Sequence, residues 1–77
     1  MTLDFSKRDL VNLALAVSAQ ASSSYCDERL ATAATEHQLA ARLWCAAGCD
    51  AKAKHHYMLA VAIDQEMIDI AAGHQAA

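Results

Sequence analysis

The side chains that could do chemistry cluster around one short stretch, Cys45-Ala-Ala-Gly-Cys49 followed by His55-His56, which holds the ligand types of a zinc site. Zinc needs thiolates and imidazoles converging tetrahedrally at about 2.0–2.3 Å. The spacing does not deliver that. Cys45 falls in the last turn of one helix and Cys49 in a link, while His55 and His56 point about 100° apart on a helix and cannot face one ion. The chain contains no Cys-x-x-Cys pair. Cys45 therefore reads as a small buried hydrophobe and Cys49 as a turn residue, with no metal and no cofactor.

Cys26, beside Asp27 and Glu28, is the nearest candidate nucleophile, because a helix start lowers a thiol pKa. The two carboxylates act the other way. A glycine-rich phosphate loop, G-x-S-x-G and H-E-x-x-H are all absent, and Glu36-His37 lacks the second histidine of a zinc protease helix. No residue is assigned a catalytic role, and the expectation is a protein that is not an enzyme.

His37 sits seven residues before Trp44 on one helix face. It is either a pH-sensitive or ligand-binding group or a core histidine bonded to a side chain of the next helix or of a facing subunit. In an antiparallel hairpin turning near Gly48, facing residue numbers sum to roughly 97. That places His37 near Ala60, away from His55 and without a cysteine or histidine partner, and favours the core reading.

Trp44, Tyr57 and Tyr25 are the large amphipathic rings. Trp44 and Tyr57 flank the expected turn and are read mainly as core; with Ile63, Met67 and Ile70 they form the set of interface or core anchors. Asp64, Glu66 and Asp69, joined by Asp50, could meet a basic patch on a partner or form a solvated face.

These residues must be held by helices. Of 77 residues 56% are hydrophobic, but 19 are alanine, and there are no prolines and two glycines. Such a composition favours an all-α fold. Residues 1–77 read as a single small helical domain, whose core supplies ~3–5 kcal/mol unaided, so a second subunit is expected.

Ser6 with Asp9 reads as a capping box, and Phe5 can staple onto Leu10, opening an N-terminal helix over about 7–21. Ser22-Ser23-Ser24 reads as a break, with Ser24 as N-cap and Asp27 three residues on. A long antiparallel α-hairpin follows, its helices at about 25–47 and 51–72 and both expected to exceed 30 Å. Leu30, Ala33, His37, Ala40, Trp44 and Ala47 form a small-residue seam on the first arm. His56, Leu59 or Ala60, Ile63, Met67 and Ile70 form that of the second. Gly48 suits a left-handed cap and Asp50 the next N-cap. Leu10, Leu13, Leu39, Leu43 and Ile70 call for more cover than three helices provide, which suggests a homodimer.

The net charge is −3, and no Lys or Arg follows Lys54. That argues against a nucleic-acid partner. No segment has the length of a bilayer span and the first residues lack signal-peptide blocks, so no membrane partner and a cytoplasmic location are expected. Three cysteines, an odd set, read as free thiols.

The run Ala41, Trp44, Gly48, Ala53, Tyr57 and Ala60, within residues 34–65, resembles one tetratricopeptide-repeat unit, with Gln65 where the family has its closing proline. The resemblance implies a protein-interaction hairpin; with no second copy, it does not imply a repeat array. In size and character the chain is also similar to small phage or mobile-element inhibitors such as anti-CRISPR proteins. The functional expectation is a non-enzymatic protein that occupies a surface of a partner protein. The alternatives are a metal- or ligand-binding helical module and a purely structural self-assembling subunit.

Overall fold

A computed structural model describes residues 6–76, with side chains described through Gly73; the expected Phe5 staple lies outside these residues. Ser6 caps the first helix as the sequence requires: its Oγ accepts from the Asp9 N–H at 3.2 Å, and the Ser6 N–H donates to the Asp9 carboxylate at 3.3 Å. Three helices follow in order, α1 (Lys7–Cys26), α2 (Leu30–Ala46) and α3 (Asp50–Ala76).

The serine run does not break the chain. α1 continues through Ser22-Ser23-Ser24 to Cys26, and Ser24 is fully buried, donating to Glu36 of α2 at 2.5 Å. A side-chain acceptor on the neighbouring helix thus satisfies the hydroxyl that would otherwise compete with the helix backbone. Cys26 accordingly ends a helix and does not start one, so the dipole argument for a reactive thiol has no basis.

Both links close in the same way. After α1, the Arg29 N–H donates to the Ser24 carbonyl and the Glu28 N–H to that of Tyr25; after α2, Cys49 donates to Trp44 and Gly48 to Cys45. Each motif requires one residue at positive φ: Gly48 at 82°, as expected, and Glu28 at 63°. A glutamate there carries no composition signal, which is why the first link lay hidden in the sequence. Arg29 then opens α2 without a side-chain cap. Asp50 lies within the first turn of α3, where its charge complements the helix dipole, and does not act as an N-cap.

α2 is the central helix. α1 and α3 both pack along it and meet one another through side chains, Ser18 with His56 and Tyr25 with Glu66. The molecule measures 53 × 22 × 21 Å. At about 1.5 Å per residue α2 is roughly 26 Å long, shorter than expected, and α3 roughly 40 Å. Leu30 and Met67 belong to one cluster with Ala33, Ala34 and Ile63, so α3 beyond Met67 runs past the start of α2.

Alanine dominates the core: Ala14, Ala21, Ala33, Ala34, Ala40, Ala41, Ala47 and Ala60 are buried with Trp44 and Ile63. Small side chains at the crossings let the backbones approach closely. The α2 seam is confirmed, with Leu30 its least covered member. The α3 seam holds through Met67 and then fails at Ile70, which lies on the overhang and is 48% exposed. Tyr57, expected in the core, is 60% exposed, since it stands about 100° around α3 from the inward His56. Cys45, expected buried, is exposed, and Cys49 is half-buried against the Trp44 cluster. Leu13 and Leu39 stand open to solvent while Leu10 and Leu43 are half-covered.

Candidate functional site

Four polar side chains from all three helices form one connected network inside this alanine core. The Trp44 indole donates to Ser18 Oγ at 3.2 Å, Ser18 Oγ lies 2.6 Å from the Ala14 carbonyl and 3.2 Å from His56 Nε2, and His56 Nδ1 lies 3.0 Å from His37 Nδ1. The two imidazoles stack, centroids 5.2 Å apart and planes 25° from parallel.

Counting hydrogens fixes the direction of each bond. A carbonyl oxygen and an indole N–H can each play one part, so Ser18 donates to Ala14 and accepts from Trp44. Its remaining lone pair must accept from His56, which places a hydrogen on His56 Nε2. His56 Nδ1 is then bare and accepts, so His37 carries its hydrogen on Nδ1. His37 Nε2 is left as a free acceptor. It has no partner among the described residues, where no buried polar side-chain atom lacks one, so this nitrogen reaches an open surface although His37 is only 4% exposed.

That surface is a groove. Ser22, Tyr25 and Cys26 of α1 form one wall, Leu59, Ala62, Ile63 and Glu66 of α3 the other, and His37 of α2 the floor, enclosing about 360 Å³. Tyr25 Oη donates to Glu66 at 2.9 Å across the rim. That hydrogen bond, followed by the Glu66 charge, raises the Tyr25 pKa. The pKa values of His37 and His56 are lowered, first by burial; the next cause is the repulsion that a second imidazolium would meet, from His55 for His37 and from His37 for His56. Both rings are therefore neutral at pH 7, the state in which each carries the single hydrogen counted above.

The direction of the network is opposite to nucleophile activation. A catalytic serine gives its proton to a histidine, whereas Ser18 gives its proton to a backbone carbonyl and accepts one from His56. Among the described residues no three His, Cys, Asp or Glu side chains are placed to hold a metal ion.

His37 is bonded to an α3 side chain, as the core reading requires, but the expected absence of a histidine partner does not hold. The His56 ring of α3 supplies that partner, its Nδ1 3.0 Å from His37 Nδ1. Of the four acidic residues, Glu66 alone enters the groove. Asp64 and Glu66 stand about 200° apart around α3, Asp69 accepts from Gln65 at 2.9 Å, and Asp50 begins the helix at its far end. The four do not share a face. Among the anchors, Trp44 and Ile63 are core, Met67 is half-buried, and Tyr57 and Ile70 are exposed. Sequence reasoning passed over Ser18 and the α1 wall. The available signal was a serine set between Ala14, Val17 and Ala21 in an apolar stripe.

No protein-family model, curated protein or solved structure matches the chain. No helix among the described residues is long and apolar enough to cross a membrane.

Proposed function

We propose that this chain is a non-enzymatic protein-binding protein that occupies a surface of a partner protein through α3 and pairs with a second copy of itself. One observation carries the reading. Tyr57, Met58, Val61 and Ile68 lie 60, 58, 51 and 60% exposed, fanned over the flank and outer side of α3 away from Ile63. A helix normally presents polar side chains there. An exposed apolar patch of Tyr57, Met58 and Val61, with Ile68 two turns further on past Asp64 and Gln65, carries one aromatic and one sulfur-bearing side chain of the kind enriched in interface cores. The tetratricopeptide-like character of residues 34–65, which takes in Tyr57, Met58 and Val61, adds support.

The inhibitor version of this reading, an anti-CRISPR-like protein of a phage or mobile element, is supported by size, acidity and helical character. It acts sterically, by covering a functional surface.

Light scattering across micromolar concentrations tests the core of the proposal. The expected result is a dimer that Val61→Asp with Ile68→Asp converts to a folded monomer, with loss of any stoichiometric complex recovered from the native host. A wild-type chain that stays monomeric and loses no partner on this double substitution overturns it.

A further inference from the structure

The groove between α1 and α3 is separate from the outward stripe of α3, and its chemistry is specific. Its buried and acidic polar groups, His37 and Glu66, present acceptors, while the donors on its α1 wall, the Ser22 hydroxyl and the Cys26 thiol, belong to exposed residues. His37 lines the floor with its Nε2 left without a hydrogen by the network, Glu66 brings a carboxylate, and the Tyr25 hydroxyl has already committed its hydrogen to Glu66. No lysine or arginine lines the groove. The remaining lining is largely apolar, from Leu59, Ala62 and Ile63, and the groove continues past Tyr25 and Glu66 toward a second carboxylate, Glu28. A volume of about 360 Å³, with few convergent polar groups set among apolar side chains, has the dimensions of a small-molecule site.

From this geometry we infer that the groove is a binding site for a small apolar amine in its ammonium form. The ammonium donates one hydrogen to His37 Nε2 and pairs with Glu66, while the apolar body lies against Leu59, Ala62 and Ile63. An anion meets Glu66 and a bare nitrogen and is rejected. A neutral alcohol can satisfy one acceptor and leaves the carboxylate without a counter-charge.

The histidine network serves this site. Ser18 fixes the His56 hydrogen on Nε2, His56 fixes the His37 hydrogen on Nδ1, and the acceptor lone pair of His37 is thereby held toward the groove. The groups facing His37 are His56 and Glu66 from α3 and Tyr25 and Cys26 from α1, with Glu36 beside it on α2 and His55 nearby on α3. A proton taken up on Nε2 removes the acceptor and adds a repelling charge, so amine affinity falls as pH drops.

The test is a titration of the purified chain with 2-phenylethylamine, compared with 2-phenylethanol and 3-phenylpropanoate, by calorimetry and by ¹⁵N NMR of the histidine rings. The expected result is one-to-one saturable binding of the amine below about 1 mM, a shift of the His37 Nε2 resonance, and affinity at least about 10-fold weaker for the alcohol and the carboxylate. Glu66→Gln, which can still accept from Tyr25, weakens amine binding about 10-fold, and Ala62→Phe, which fills the groove from an exposed position, abolishes it. Circular dichroism checks that both variants stay helical. Absent saturation, equal affinity for amine and alcohol, or amine binding untouched by a folded Ala62→Phe variant each overturns the inference. None of these outcomes depends on whether the chain binds a protein through the outer face of α3.

Discussion

His37 and His56 share a single hydrogen across the 3.0 Å between their Nδ1 atoms, and that hydrogen belongs to His37. The assignment propagates from Ser18, whose hydroxyl is drawn to the Ala14 carbonyl 2.6 Å away. Two neutral imidazoles are thus held in opposite tautomers. Long-range ¹H–¹⁵N correlation of the rings at pH 7.5 should show His37 protonated at Nδ1 and His56 at Nε2. The reverse pattern would mean that Ser18 donates to His56 and would undo the directionality of the network.

Stability should decline as pH falls from 7.5 to 5.5. In the unfolded chain both histidines take up protons near pH 6.5, whereas in the folded chain burial lowers both values. Below about 6.5 the unfolded state therefore binds more protons, and its population rises until pH passes the folded-state values. Urea denaturation at the two pH values measures the difference, and a stability that is flat or higher at pH 5.5 contradicts it.

Removing the Ser18 hydroxyl strands two donors, the Trp44 indole N–H and the His56 ring N–H. An unsatisfied buried donor costs about 1–3 kcal/mol, so Ser18→Ala should lose about 2–4 kcal/mol. Ser24→Ala removes one partner of the half-buried Glu36 and should lose about 1–2 kcal/mol. Equal losses in chemical denaturation would show that the network has no special share in stability.

The two links make a matched pair of tests. Glu28 sits at φ 63° without the freedom of glycine, so Glu28→Gly should stabilise the chain by about 1 kcal/mol. Gly48 has nothing within 4 Å of where a Cβ would stand, so Gly48→Ala meets no clash, and its loss of about 1 kcal/mol reports the backbone alone. Thermal melts of both variants should move in opposite directions, and a destabilised Glu28→Gly would reveal a role for the Glu28 side chain.

The fold class was legible because helix-forming composition is distributed along the entire chain and because the periodicities were strong. The α2 seam from Ala33 to Ala47 and the Gly48 turn emerged as expected, since glycine is the residue that a left-handed cap selects. The first link was illegible because serine runs usually mark breaks, while the true cap position is filled by a glutamate that pays a backbone penalty. Local rules lost there to the burial of Ser24 against Glu36.

The candidate site divides in the same manner. His37 could be placed on a seam facing α3, and Glu66 on an acidic helix, from spacing alone. Their meeting at one groove could not be foreseen, since Tyr25 and Cys26 form its wall only because α1 runs five residues further than its serines suggest.

By itself the sequence determined an all-α chain of three helices with an alanine seam and a tight second turn, because helix propensity, capping and turn geometry act over a few neighbouring residues. Tertiary structure decided that α2 is central, that α3 overhangs it, and that a buried histidine keeps one open nitrogen at the floor of a groove. Those facts depend on which hydrogen-bond partner a side chain finds on another helix, and that choice is settled only when the helices are packed together.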